Sequence, residues 1–168
     1  MLNDIFKYFG LFVLLLAIQV LVMNNIGFSG YINPFIYILF IILLPLETPA
    51  WLLLILAFFT GLSVDLFAAT PGLHTSATVL AAFVRPYILR FISPREGYEQ
   101  GDIPGINKNG LRWFIIYVAL IVFVHHSALF YIEVFRMKHF FITFARVLLS
   151  SIFSILFIVI IQTLIIRR

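Results

Sequence analysis

Asp65 is the only acidic residue inside an apolar stretch of the sequence, and a carboxylate held in lipid is the group on which proton or ion chemistry is built. Ala57 and Gly61 precede it at four-residue spacing, which on a helix places all three on one face. Small residues at that spacing let a second helix approach closely. Asp65 therefore has two readings, a proton or ion site and a structural acid satisfied by a neighbouring helix. Arg146, at a matching depth in the last apolar stretch, is the expected partner for an ion pair. His74, His125, His126 and Glu133 fall toward the same end, which raises metal or proton chemistry. No pair of them has the i, i+4 spacing of a helical metal site, and the adjacent His125 and His126 are expected to point apart. Ordinary hydrogen-bonded interfacial histidines are the expectation, with no metal.

Other chemistry is scarce. The segment Gly61-Leu62-Ser63-Val64-Asp65 resembles a nucleophile turn only superficially, since it lacks the second glycine and lies within an apolar run. There is no glycine-rich phosphate loop and no metalloprotease helix motif. With no cysteine, disulfides and thiol catalysis are excluded. No catalytic residue and no cofactor are expected.

The elements that must position these residues are membrane helices. Apolar residues make up 63% of the chain and charged residues 11%, with a mean hydropathy of +1.13. Soluble domains carry about 25% charged residues, so this surface has lipid as its solvent. The net charge of +4 comes from residues flanking apolar runs, which anchors helices rather than binding nucleic acid. From Tyr8 to Leu46 there is no charge at all, and one helix of that length would reach roughly 58 Å at about 1.5 Å per residue. Asn24-Asn25, Gly27, Gly30 and Asn33-Pro34 interrupt it. The expected spans are 8–24, 31–46, 51–68, 73–92, 113–132 and 140–166, with turns at 24–30 and at Thr70-Pro71-Gly72 and a hydrophilic loop at 93–111. The first is expected to be retained rather than cleaved as a signal peptide.

Lysine and arginine set the orientation. With both termini cytoplasmic, Lys7, Arg85, Arg90, Arg95, Lys108, Arg112, Arg167 and Arg168 lie inside, against Arg136, Lys138 and Arg146 outside. Arg85 and Arg90 are expected to snorkel to headgroups, with Pro86 able to kink the fourth span. The run Thr75, Ser76, Ala77, Thr78, Ala81, Ala82 reads as a packed helix face or a cavity wall.

The run Gly61-Leu62-Ser63-Val64-Asp65-Leu66-Phe67, followed by Pro71-Gly72-Leu73-His74, resembles the signature of the rod shape-determining protein MreD family. Asn33-Pro34 opening an apolar span agrees with it, and the long loop 93–111 resembles members from Bacteroidota. The resemblance implies an all-α, six-span fold similar to the substrate-binding subunits of energy-coupling-factor transporters. It implies a non-enzymatic scaffold of the bacterial inner membrane. The implied partners are an MreC-like periplasmic coiled-coil protein, an MreB-like actin homologue, a RodA-like glycosyltransferase and a class B penicillin-binding protein, with a homodimer left open. Gly61, Asp65, Gly72, His74 and Arg146 become the structural or partner-contact candidates. Two alternatives stand beside it: a small-molecule-binding transporter subunit, and a proton or ion channel built on Asp65.

Overall fold

The computed structural model describes residues 2–25, 32–99, 101–135 and 140–166. Most of the expected hairpin at 24–30, the first residue of the second span, most of the loop 133–139 and the basic pair Arg167-Arg168 lie outside these. Among the described residues the chain is all-α. It has six α-helices: α1 (Leu2–Leu21), α2 (Leu39–Leu43), α3 (Ala50–Ala68), α4 (Leu73–Phe91), α5 (Ile106–Val134) and α6 (Phe140–Ile166), with a 3-10 turn at Met23–Asn25. Four stretches, Ile5–Asn25, Ala50–Ala68, Ile106–Val134 and Phe140–Leu164, are long and apolar enough to cross a membrane. α4 has spanning length but carries His74, Thr75, Thr78 and Arg85, all turned inward, and an exposed Arg90 at its end.

Helices α3 to α6 pack each against the next, while α1 lies on α3 and α2. Bulky side chains such as Phe59, Phe67, Phe91 and Phe141 are exposed around the outside. In water this would be an aggregating surface, and in lipid it is the solvated one.

The second expected span is not a regular helix. Residues 33–36 have no helical structure, and only Leu39–Leu43 complete a helical turn. Yet 34–44 is the most deeply buried stretch of the molecule, with Ile36, Ile38, Leu39, Ile41 and Ile42 fully enclosed. Pro34 has no amide hydrogen for a helical ladder, and it disfavours helical backbone at Asn33 before it. Extended backbone also rises about 3.3 Å per residue against about 1.5 Å in a helix, so a short segment gains reach.

The polar loop is equally structured. The Leu46 N–H donates to Asp102 O at 2.9 Å, Tyr98 donates to Leu89 O at 2.9 Å, and the Trp113 indole donates to Ile92 O at 3.1 Å. Lys108 bridges Glu99 and Asp102. Helix α5 begins at Ile106, inside the expected loop, and breaks at Gly110, whose φ of 79° favours glycine.

Candidate functional site

Asp65 lies at the end of α3, facing the start of α4. Its carboxylate accepts from Thr70 Oγ1 and the His74 N–H at 2.9 Å each, from the Thr75 N–H at 2.9 Å and from Thr75 Oγ1 at 2.6 Å. The first-turn amides of a helix have no partner within it and carry the positive end of its dipole. Asp65 thus caps α4 from a neighbouring helix. Gly61 makes the approach possible: a Cβ there would lie 2.4 Å from Thr75 Cα and 2.7 Å from His74 O. The turn is closed by left-handed backbone at Ala69 (φ 53°) and Gly72 (φ 83°). The expected strip Ala57, Gly61, Asp65 is therefore an α3–α4 contact, and of the two readings of Asp65 the structural one describes its surroundings.

The expected Asp65–Arg146 pair is not formed. Arg146 Nη1 instead donates to Glu133 at 2.9 Å, and its guanidinium lies 4.4 Å above the Phe130 ring. Four donors already fill both oxygens of Asp65, while Glu133 on α5 faces α6 directly. Oriented to satisfy both of its ends, the Asn33 amide gives Arg146 Nη2 a second acceptor at 2.8 Å.

His125 and His126 are also not interfacial: both are 0% exposed. They belong to a hydrogen-bonded chain that crosses the bundle, and its polarity follows from the donors. The Phe35 N–H donates to Ser154 Oγ at 2.8 Å, and Ser154 Oγ meets His126 Nε2 at 3.0 Å. His126 Nδ1 lies 2.9 Å from Val122 O, and because a carbonyl only accepts, this nitrogen carries the hydrogen. Nε2 of the neutral ring then accepts from Ser154. The same Nδ1 lies 3.3 Å from His125 Nδ1, which must accept, so His125 Nε2 donates to Tyr37 OH at 2.6 Å. Tyr37 OH passes its hydrogen to Thr78 Oγ1 at 3.2 Å, and Thr78 donates to His74 O at 2.6 Å. Adjacent histidines are expected to diverge, but here the rings sit edge to face with centroids 5.3 Å apart.

The non-helical backbone of 32–37 is held by side chains the sequence did not single out. Gln19 of α1 accepts from the Ile36 N–H at 2.8 Å and donates to Pro34 O at 3.3 Å. Ser150 of α6 accepts from the Asn33 N–H at 3.1 Å. Irregular backbone is tolerated at membrane depth only when buried in protein with its polar groups paired. At the other end of the segment, Arg85 is 1% exposed and does not snorkel. It donates to Tyr117 OH at 2.7 Å and to the carbonyls of Leu44 and Pro45, which its guanidinium fork spans.

Two hollows open on this frame. One, of about 760 Å³, runs between α1 and α3 and is almost wholly apolar, lined by Phe9, Phe12, Leu52 and Phe59. The other, of about 330 Å³, lies at the α3–α4 turn end over Phe35 and His74, with Glu133 and Arg146 at its side. Among the described residues no group of three or more acidic, histidine or cysteine side chains is placed to hold a metal. Compared with known proteins, the chain matches no family model, and it has no significant match among curated proteins or solved structures.

Proposed function

We propose that this chain is a non-enzymatic scaffold of the bacterial cell-shape machinery, embedded in the inner membrane with both termini cytoplasmic. In this reading it links an MreC-like coiled-coil protein and an MreB-like filament to a RodA-like glycosyltransferase and a class B penicillin-binding protein. The observation that carries it is how the interior polar groups are used. Gln19, Ser150, Ser154, Tyr37, His125, His126 and Arg85 bond to the backbone of 33–45 and to one another. A solute carrier keeps such groups converging on a cavity near the midplane. Here they rigidify a bundle that exposes many large apolar side chains, as suits a protein that works by holding partners in lipid. The Gly61/Asp65 clasp also gives a physical role to the residues that carry the family resemblance.

Co-expression with a membrane-anchored coiled-coil protein of the MreC type tests the proposal. A stoichiometric complex that survives detergent extraction is expected. A chain that purifies alone but binds a solute saturably would instead be a transporter subunit.

The small-molecule reading has one observation in its favour, the 330 Å³ hollow. Proton flux through Asp65 has less, because all four hydrogen bonds at its carboxylate come from the turn it caps.

A further inference from the structure

The hollow at the α3–α4 turn end has a volume of about 330 Å³, at the low end of the roughly 300–1,000 Å³ of ligand sites. Its floor and walls include Phe35, His74 and Phe130, and its charged groups are Glu133 and Arg146. The Glu133 side chain is 38% exposed and that of Arg146 is 20% exposed, so the carboxylate stays reachable beside a largely covered guanidinium. The ion pair is partly open. Its effect is to set two opposite charges side by side against an aromatic wall. The nearby Asp65 is occupied by four donors of its own.

Charge balance then selects the ligand. An anion on Arg146 would displace Glu133 and leave that carboxylate uncompensated, and a cation on Glu133 would do the same to the guanidinium. Such uncompensated charge is costly where water is scarce. A molecule with an ammonium and an acid group a few bonds apart inserts between the two without creating an excess of either sign. We infer that this hollow binds a zwitterion with an apolar body, its ammonium on Glu133, its acid group on Arg146 and its apolar part over Phe35 and Phe130. Two sources share that chemistry, a phosphatidylethanolamine headgroup and a free α-amino acid. The inference rests on the membrane-embedded fold and not on the scaffold role, so a failed partner pull-down leaves it intact.

The test uses the full chain in nanodiscs of phosphatidylglycerol alone, titrated with phosphatidylethanolamine in one arm and with phenylalanine in the other. Native mass spectrometry reads retention, and thermal unfolding reads affinity. Wild-type protein is expected to bind one of the two saturably at unit stoichiometry. Glu133→Gln, at an exposed position that the fold tolerates, is expected to weaken binding roughly tenfold or more, as loss of a charge-assisted contact does. Arg146→Gln is expected to do the same. Retention of the lipid assigns a headgroup site, and retention of phenylalanine assigns a soluble zwitterion. Binding of neither, or equal binding by Glu133→Gln, would overturn the inference.

Discussion

The α3–α4 turn and the buried segment 32–44 solve the same problem at different range. Each must satisfy buried backbone groups that have no helical partner. At the turn, Asp65 does so for amides 9 and 10 residues away, with Gly61 one turn earlier admitting the partner helix. In the buried segment the acceptors for Asn33 and Phe35 are serines 117 and 119 residues along the chain, and Gln19 comes from the opposite side. The turn is a local device that any chain with this spacing can form. The segment has no stable form until α1, α4, α5 and α6 are assembled around it.

Substitutions that strike either region should separate these two cases. The largest loss is expected from Gly61→Val, because the added carbons meet Thr75 backbone, which cannot yield. No folded protein should be recovered from detergent extracts. Asp65→Ala, which strips the acceptors from four donors, should cost about 3 kcal/mol or more in reversible unfolding in mild detergent. Gln19→Leu leaves the Ile36 N–H and the Pro34 carbonyl unpaired and should cost about 2–4 kcal/mol by the same measurement. If Gln19→Leu is silent, the long-range region is held by packing alone and the comparison fails.

Smaller effects sharpen it. Ala69 sits at φ 53°, a conformation that disfavours side chains, so Ala69→Gly should raise stability by about 1 kcal/mol and shift the unfolding midpoint upward. The smallest effect belongs to the polar loop, where the hydrogen bond from Lys108 holds the Asp102 carboxyl below the usual carboxylate range. A carboxyl whose folded pKa is lowered stabilises fully above its unfolded value of about 3.9, and the stabilisation is lost as pH falls through the folded value. The difference in melting temperature between wild type and Asp102→Asn should therefore be present at pH 7, begin to shrink below about pH 3.9, and vanish only below the lowered folded value.

The sequence carried the local device in readable form. Ala57, Gly61 and Asp65 share a face, the turn at Thr70-Pro71-Gly72 follows, and close approach of the next helix is the direct reading. Four of the expected spans match helices long and apolar enough to cross a membrane, because length and hydropathy alone decide that property. The second span was illegible for the converse reason. An apolar run of this length reads as helix, and what opens it is pairing with polar groups far away in the chain. Gln19, Ser150 and Ser154 were visible as polar residues in apolar stretches, but nothing in one sequence links them to residues 33–36. The same gap misplaced four side chains. Arg146 found Glu133 rather than Asp65, Arg85 turned inward to Tyr117 and Leu44, and His125 and His126 joined an internal chain.

Amide hydrogen exchange over residues 32–44 of the full chain in lipid nanodiscs tests most directly whether the polar interior serves the backbone. The amides of Asn33, Phe35 and Ile36 are expected to exchange as slowly as those in the middle of α5, and Gln19→Leu should speed that of Ile36 selectively. Fast exchange in the wild-type protein would contradict the account, because it would leave those side chains free to meet a solute.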